Sequence, residues 1–462
     1  MRLGYWDGPH DRDNPQNWPF GKKVFHSVVP AGMALVTTMA GSIYVPGHDD
    51  VMRTLGVSSE VAFLPYVFYT LGLAFGPMVS APTSEAFGRK IIYRAGIPFF
   101  ALFTLGAGFS QNIASLTVCR FFAGVFGSTG LAAGTPTLTD VWVPAERGIP
   151  MALYVTAPFL GPTLGPLIGG YVAQSKGWRW TQWVTLFFTI AFLMPVLFMS
   201  ETYKKQILKR RARRQGRSVS GSKRTFLQAT AFFMRATLTR PVHMMMVEPI
   251  VGLFSLYVAL NFATIYNFYA AFPYVFSEAY DFDLGEIGLT FLGMGIGVLL
   301  ASAGIVLIDR HFYRKRFQKA RLRGEKLAPE HRLYIAMVGS ILLPVSLFWF
   351  AWTARPGVHW ISPIIAEVFF GAGILLVFMA CLLYLADTYG PRYTASAMAA
   401  NHLLRYTLGF VFPLFVLQMY KHLGTGWATS LLGFLNVAMT PIPWAFWFFG
   451  PKLRSMSKYQ SE

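Results

Sequence analysis

Long apolar stretches that lack Asp, Glu, Lys and Arg recur along most of the chain. A helix needs roughly 20 apolar residues to cross a hydrocarbon core about 30 Å thick. Twelve stretches meet or approach this length, and two short ones extend through one ionisable residue each, Glu367 in the tenth and Arg405 in the eleventh. The stretches are Val24–His48, Val61–Ser84, Ala95–Cys119, Phe121–Asp140 (ending at its acid), Gly148–Ser175, Trp180–Ser200, Pro249–Ser277, Ile287–Ile308, Leu333–Ala354, Val368–Ala386, Tyr406–Tyr420 and His422–Pro451. The pattern predicts an all-α membrane protein with twelve transmembrane helices.

The composition agrees with this interpretation. Of the 462 residues, 54% are hydrophobic and only 13% are charged, whereas about a quarter of the residues in a soluble protein are charged. So few charges cannot cover the surface of several soluble domains, and the bilayer is the expected solvent. The two cysteines, Cys119 and Cys381, fall inside apolar stretches and indicate ordinary packing rather than a disulfide framework.

Basic residues are distributed unevenly between the two sides of the predicted membrane. With both termini in the cytosol, the cytosolic segments contain 33 Lys and Arg and the outer loops contain five, while Arg120 and Arg405 lie within predicted helices. Positive charge resists export across the membrane, so this split predicts the orientation. The net charge of +19 is then explained by topology, and a nucleic-acid partner is not expected.

The longest cytosolic segment divides the chain into two groups of six predicted helices, which is the parallel-repeat arrangement of large secondary transporters. Within this linker, Arg224–Arg240 is expected to form an interfacial helix, with a disordered linker as the alternative. The basic run at 209–214 predicts contact with anionic lipids. The expected units are a cytosolic tail at 1–23, a six-helix half at 24–200, the basic linker at 201–240, a second six-helix half at 241–451 and a cytosolic tail at 452–462.

A tight turn with charged residues follows the second predicted helix and reads Ser84-Glu85-Ala86-Phe87-Gly88-Arg89-Lys90. Gly88 permits the turn, and the charges can hold neighbouring helix ends. The turn resembles that of the major facilitator superfamily, in which an acidic residue precedes Gly-Arg-Arg or Gly-Arg-Lys; the family's opening glycine is Ala81 here. The resemblance implies an inner gate of Glu85, Gly88 and Arg89, with Arg89 meeting Asp140 at the inner end of the fourth helix. The alternative is a charged pair that merely follows the inside-positive bias.

The fifth predicted helix carries a glycine at every fourth position. Gly161, Gly165 and Gly169 leave one face without side chains, so a partner helix can approach closely, while Pro162 and Pro166 bend the axis. A packing or dimerisation face is the alternative. Next to the turn described above, this helix resembles the glycine-proline signature of the superfamily's drug and proton antiporters, which importers mostly lack, and it favours export.

Further short matches resemble fungal twelve-span drug and proton antiporters in their order and spacing along nearly the whole chain. They are Asp13-Asn14-Pro15-Gln16-Asn17-Trp18, Arg120, Glu146-Arg147-Gly148, Glu201-Thr202-Tyr203, Glu248-Pro249, Asn401 and Leu403-Leu404-Arg405. One segment departs from the pattern. Many relatives have Phe-Glu-Ala-Phe-Pro near the outer end of the seventh helix, whereas this chain has Tyr269-Ala270-Ala271-Phe272-Pro273. The missing carboxylate argues against a cationic or polyamine substrate and against a proton route through that position.

Ionisable side chains inside a span cost several kcal/mol unless they are paired or face water, so they are functional candidates. Glu248 and Glu367 are each predicted roughly 9 Å from a membrane surface. The family resemblance places helices 1, 4, 7 and 10 around a central cavity, and it implies proton or substrate groups there, with Arg120 able to approach Glu367. Interhelical ion pairs are the alternative, and Glu248 with its proline could simply shape the helix. The expected cavity residues are Arg120, Glu248, Asn261, Asn267, Glu367 and Asn401.

These features together favour export of small amphiphilic organic compounds, such as a drug, toxin or secondary metabolite, by proton antiport with alternating access. An importer or facilitator of a small organic nutrient is the alternative within transporters, and a membrane-embedded enzyme is the alternative outside them. The sequence has no HExxH or GxGD motif and no Gly-x-x-x-x-Gly-Lys loop, so neither catalysis nor ATP coupling is expected. No metal or cofactor is expected, and the predicted state is a monomer in the plasma membrane.

Overall fold

The computed structural model describes residues 6–8, 10–143, 146–215, 239–323 and 327–459, without the side chains at 81, 82, 85, 314, 317, 320, 321, 391 and 392. These residues form helices and no strand. The helices are α1 (Phe20–Ser42), α2 (His48–Leu55), α3 (Ser59–Phe87), α4 (Arg89–Gly108), α5 (Ile113–Gly127), α6 (Thr129–Val141), α7 (Gly148–Lys176), α8 (Trp178–Phe198), α9 (Lys204–Arg214), α10 (Arg240–Val247), α11 (Pro249–Tyr280), α12 (Leu284–Thr290), α13 (Leu292–Ile308), α14 (Arg314–Leu322), α15 (Leu333–Thr353), α16 (Ile361–Val411), α17 (Pro413–Met439) and α18 (Pro441–Ser455). The interfacial helix predicted at Arg224–Arg240 lies, up to residue 238, outside the described residues.

Eleven of the described helical segments are long and apolar enough to cross a membrane. The remaining crossing is residues 391–423, which lie between two non-helical points at Gly390 (φ 59°) and Gly424 (φ 74°). The long helix α16 therefore contains the tenth crossing and the start of the eleventh, and α17 contains the end of the eleventh and the start of the twelfth. The predicted all-α architecture with twelve transmembrane helices is confirmed.

The predicted boundary between the third and fourth spans is wrong. The third crossing, α4, ends at Gly108 and α5 begins at Ile113, so Cys119 belongs to the fourth crossing. The turn between them contains no charged residue, and a search for charge-free stretches therefore runs through it. Asn112 marks the turn instead, because its side chain accepts a hydrogen bond from the backbone N–H of Ser115 (2.8 Å) and caps α5.

The two groups of crossings pack internally and against each other. Within the first group, up to α8, α1 packs along α7 and α3 along α5; within the second, from α10 onward, α11 and α15 both pack along α16. Between the groups, α7 packs against α12 and α13, and α3 packs against α16. Large apolar side chains such as Met194, Leu300 and Phe448 stay exposed on the outside of the bundle, as expected for a surface that faces lipid.

The bundle has two polar faces. The terminal face carries the N-terminal tail, α9 and the C-terminal residues up to Tyr459, and the distal face is the opposite one, with α2 and the turn at 109–112. Near the distal face, side chains close the space between the two groups of crossings. The hydroxyl of Tyr66 donates to the carbonyl of Tyr266 (3.3 Å), the rings of Tyr66 and Tyr269 meet edge to face with centroids 6.1 Å apart, and Gln174 donates to Asp283 (3.2 Å). The centre of the bundle is thus sealed on its distal side.

Candidate functional site

Arg120 of α5 is buried and held by the first helix. Its two terminal nitrogens donate to the carbonyls of Ala40 (2.8 Å) and Gly41 (3.3 Å), near the C-terminal end of α1. The guanidinium also lies over the ring of Tyr69, 4.3 Å from its centroid. Carbonyls at a helix C-terminus favour a cation. The expected approach of Arg120 to Glu367 is not seen among the described contacts: the terminal nitrogens bond carbonyls of α1, and Glu367 has no hydrogen-bond partner there.

Glu367 of α16 is 2% exposed, and neither of its carboxyl oxygens has a hydrogen-bond partner among the described residues. The side chain lies against α13, where a Cβ built on Gly293 would stand 3.2 Å from the Cβ of Glu367. An ionised carboxylate without partners is far more costly to bury than a neutral acid. The position therefore suits a carboxyl group that carries a proton.

Arg405 lies in the eleventh crossing, is 3% exposed, and is surrounded by rings. Its guanidinium carbon lies 4.4 Å from the ring centroid of Phe262 in α11 and 5.0 Å from that of Phe378 in α16. One terminal nitrogen donates to Nδ1 of His402 (2.9 Å). Sequence reasoning found the ionisable residue but not the rings, because they come from helices that are distant in sequence.

The three predicted amides are buried, and two of them, Asn261 and Asn267, are incompletely paired among the described residues. The amide nitrogen of Asn261 donates to the carbonyl of Tyr257, one turn earlier in α11 (2.9 Å), and its oxygen has no partner among the described residues. Asn267 has no partner there for either amide atom. Asn401 donates to the sulfur of Cys381 at 3.8 Å. Buried amides without partners are suited to bind the polar part of a ligand.

The structure places Glu248 at the terminal face and not in a central cavity. The residue ends α10 and precedes α11 with non-helical angles (φ −101°, ψ 107°). Its carboxylate accepts hydrogen bonds from the hydroxyl of Tyr389 (3.0 Å) and from the backbone N–H of Lys458 in the C-terminal tail (2.9 Å). The apolar helix of the seventh crossing begins at Pro249, so Glu248 stands directly before it, and its depth of roughly 9 Å stays a prediction. Glu248 shapes this junction and anchors the tail.

A charged cluster joins helix ends of the first group at the terminal face. Nε of Arg89, at the start of α4, lies 3.4 Å from a carboxyl oxygen of Asp140 in α6, and the guanidinium also donates to Ser84. Glu201, just after α8, accepts hydrogen bonds from the backbone N–H groups of Arg89 (2.8 Å) and Lys90 (3.3 Å). Four crossings are tied together by these contacts.

Gly88 makes the tight turn possible. Its backbone has φ 103° and ψ 162°, a region open almost only to glycine. A Cβ on this residue would also lie 2.7 Å from the carboxyl carbon of Glu201. Glu85 lies in α3, but its side chain is outside the described residues.

A second charged cluster occupies the same face in the second group of crossings, and sequence reasoning missed it. Nε of Arg332, just before α15, donates to Asp387 in α16 (3.0 Å), and a terminal nitrogen lies 4.0 Å from Asp309. Glu330 pairs with Arg454 of α18 at 2.9 Å. The acidic residues at helix ends between 309 and 332 were a signal for this cluster.

One face of α7 packs closely on α1 through the predicted glycines. A Cβ on Gly161 would lie 2.7 Å from the backbone nitrogen of Met39, and one on Gly165 would lie 2.9 Å from that of Ile43. Gly169 faces Ile43 as well. The helix continues through Pro162 and Pro166.

Glycines on the neighbouring helices bring α7 equally close to the second group of crossings. A Cβ on Gly288 of α12 would lie 2.6 Å from the carbonyl of Pro166, and one on Gly295 of α13 would lie 2.7 Å from Cγ2 of Thr163. Further along α7, Thr156 donates to the hydroxyl of Ser302 (2.7 Å). The high glycine content of residues 285–297 was the signal for this contact. Glycines therefore allow α7 to pack closely on α1 on one side and on α12 and α13 on the other.

Comparison with known families matches residues 31–413 to the Major Facilitator Superfamily. The chain is 39% identical over 456 residues to the MFS-type transporter traF of Penicillium crustosum, covering 98% of this chain and 92% of that protein. It is 40% identical over 461 residues to the efflux pump FUB11 of Gibberella moniliformis (98% and 77%). It is also 37% identical over 483 residues to Polyamine transporter 4 of Saccharomyces cerevisiae (98% and 72%).

Among solved structures, the fold is similar to that of a D-xylose-proton symporter, with a TM-score of 0.67. The match covers 92% of this chain and 98% of that chain at 15% sequence identity. At this identity the likeness concerns the arrangement of helices alone.

Proposed function

This chain belongs to the Major Facilitator Superfamily and is a multi-pass membrane transporter, and we propose that it exports small amphiphilic organic compounds from the cytosol. The single observation that supports export most is α7, whose glycine-lined face and prolines resemble the signature of drug and proton antiporters. The names of the relatives traF and FUB11, a transporter and an efflux pump, agree with this direction. The proposed location is the plasma membrane, with the terminal face in the cytosol.

The proposed mechanism is alternating access between the two groups of crossings. The contacts of Gly288 and Gly295 with α7 involve no large side chains, so the groups can rock against each other with little repacking. The aromatic contacts at the distal face close one access route in the present state. Compounds would then enter from the terminal face and leave after the distal contacts separate.

We assign the inner gate to the cluster of Glu85, Gly88, Arg89 and Asp140 at the terminal face. Charges at helix ends can bond in one state and separate in the other, which shifts a two-state equilibrium by their difference in free energy. The bond between Arg89 and Asp140 (3.4 Å) joins helix ends of the first group while the distal side is closed, and we propose that it breaks when the distal contacts separate. The cluster around Arg332 stands at the same face of the second group and extends the proposal to both groups.

The proposed proton carrier is Glu367. Antiport needs a group that binds a proton in one state and releases it in another. Glu367 is buried and has no hydrogen-bond partner among the residues that the structure describes, and the usual carboxylate of the seventh crossing is replaced by Ala270. The proton would leave Glu367 when the cavity opens and water or a charged group reaches its carboxyl.

A polyamine is the second candidate for the transported substrate, because one similar protein is named Polyamine transporter 4. A polyamine would need buried anions. The described central region instead buries two cations, Arg120 and Arg405, and position 270 is alanine. We therefore place an organic compound without multiple positive charges first.

The test of export and coupling uses full-length protein in proteoliposomes with an imposed pH gradient, after a toxin screen in a deletion strain has named a substrate. We expect Glu367→Gln to remove the pH dependence of transport while substrate binding stays measurable. Glu278→Gln makes the same chemical change at an exposed position at the end of α11 and should leave coupling unchanged. Full pH-driven transport by Glu367→Gln would show that Glu367 is not the carrier, whereas a wild type that moves substrate only inward would refute export itself.

A further inference from the structure

The guanidinium of Arg405 sits in a ring of aromatic side chains at the centre of the bundle. Three rings lie within cation-π distance: Phe262 at 4.4 Å, Phe378 at 5.0 Å and Tyr406 at 4.7 Å from the guanidinium carbon. These rings come from the seventh, tenth and eleventh crossings. Rings stabilise a cation from which water is excluded, but by less than the cost of burying an isolated charge.

No described residue neutralises the positive charge of Arg405. Its one described side-chain hydrogen bond goes to Nδ1 of His402 (2.9 Å), and an arginine can only donate, so the imidazole accepts with a neutral nitrogen. Nε is buried and has no hydrogen-bond partner in the described part of the chain, and no described carboxylate forms an ion pair with this arginine. A buried cation of this kind lacks the anion that would complete it.

The aromatic ring set reaches across the boundary between the two groups of crossings. Phe159 of α7, in the first group, lies 5.5 Å from Phe262 and 5.1 Å from Phe378 between ring centroids. One turn nearer the terminal face, Thr156 of α7 bonds Ser302 of α13. Arg405 therefore stands where rocking of the groups would open a space, between flat apolar walls that belong to both.

We propose that Arg405 binds the carboxylate of the transported compound, and that the preferred substrates are flat aromatic organic anions. This inference rests on the proposed export function and narrows its substrate class. The freed guanidinium offers parallel N–H donors that match a carboxylate, with charge on both partners. The rings of Phe159, Phe262 and Phe378 would pack against the flat body of the same compound. His402 holds the arginine when the site is empty.

The test compares acids with their uncharged esters in the purified full-length protein at pH 7.5. The probes are 2-naphthoate, 1-naphthoate and benzoate, each paired with its methyl ester, and the readout is the equilibrium dissociation constant. We expect at least one pair in which the acid binds at least about tenfold more tightly, which corresponds to about 1.4 kcal/mol. Arg405→Gln should remove that preference and leave the affinity for the ester within about twofold.

Two further variants keep the result decisive. Arg179→Gln removes an arginine that also stacks on a ring, that of Trp178 at 4.6 Å, outside the aromatic set, and should keep the wild-type preference. Arg405→Lys retains the charge without the parallel donors and should keep part of the preference for the acid. It replaces Arg405→Gln as the test if the glutamine variant fails to fold. Equal affinity for acid and ester in all three wild-type pairs would overturn the proposal, as would an unchanged preference in Arg405→Gln. Either outcome would leave efflux of uncharged compounds from cells intact. Efflux therefore tests the proposed export function separately from the proposed role of Arg405.

Discussion

At the scale of single residues, short polar contacts at helix ends distinguish this chain from a simple apolar bundle. Arg89 contacts Asp140 across two helices, and Glu201 receives the backbone N–H groups that begin α4. The start of a helix has N–H groups without internal partners. A carboxylate placed there accepts hydrogen bonds from them and interacts favourably with the positive end of the helix dipole. These residues fix helix ends more than they neutralise charge.

We expect Arg89→Ala and Asp140→Ala to lower transport at least about tenfold, a shift of about 1.4 kcal/mol in the equilibrium between states. Membrane insertion and yield should stay near wild type, because the apolar crossings are unchanged. The measurement is initial efflux rate per inserted protein. The control is Arg94→Ala, which removes another charge from α4. The side chain of Arg94 donates to the carbonyl of Leu197 and not to Asp140. Normal efflux in both gate variants would remove the gate assignment.

At the scale of helices, sequence predicted what depends on one segment and, apart from the contact of Arg89 with Asp140 that the family resemblance implied, missed what depends on two. Apolar length located the crossings, and the glycine spacing of α7 predicted its smooth face. The turn before Ile113 was missed because Ser, Gln and Asn carry no charge. The partners of Arg120 are backbone carbonyls of α1, and the rings around Arg405 come from three crossings, so neither could be found without knowing which helices are neighbours.

The N-terminal tail and α9 form a further contact between elements that are distant in sequence. Arg211 of α9 donates to carboxylates of Asp7 (2.9 Å), Asp11 (2.8 Å) and Asp13 (2.6 Å). The hydrogen bond from Arg211 lowers the pKa of Asp11 below its ordinary value of 3.8. Because the pKa is lowered, this carboxylate stabilises the docked tail fully at every pH above that ordinary value, and the stabilisation is lost as the pH falls from there through the lowered pKa.

We therefore expect the tail to stay docked between about pH 5 and 8 and to separate from α9 only as the pH falls well below 3.8, towards the lowered pKa of Asp11. The measurement is the distance between spin labels at Gln16 and Gln215, in protein reconstituted in nanodiscs. Arg211→Gln should give the long, broad distances at every pH, and Arg210→Gln, an exposed neighbour, should behave as wild type. A wild-type distance at pH 7 as broad as that of Arg211→Gln would contradict this contact.

At the scale of the whole molecule, orientation follows from charge rather than from packing. The 33 basic residues assigned to one side and the five assigned to the other predict that both termini and the linker at 201–240 are cytosolic. The structure brings the N-terminal tail, α9 and the C-terminal residues to one face, as an even number of crossings requires. Which side of the membrane that face occupies remains a prediction from the sequence.

Cysteine labelling of intact cells tests the orientation. A cysteine at Ser220, in the linker, should not react with a reagent that cannot cross the membrane, whereas one at Pro356, exposed between the ninth and tenth crossings, should react. The native cysteines interfere little, since Cys381 is buried and Cys119 half-buried. Labelling from outside of the cysteine at position 220, with no labelling of the one at position 356, would show that the orientation is opposite to the predicted one.

The uncompensated charge of Arg405 also has an electrical consequence. A compound that neutralises it carries a negative charge, and moving that charge out of a cell with a negative interior releases about 2.3 kcal/mol per 100 mV. This energy alone supports a concentration ratio of roughly fiftyfold. Membrane voltage would then add to the proton gradient as a driving force, and depolarising the cell would slow export even where the pH difference is unchanged.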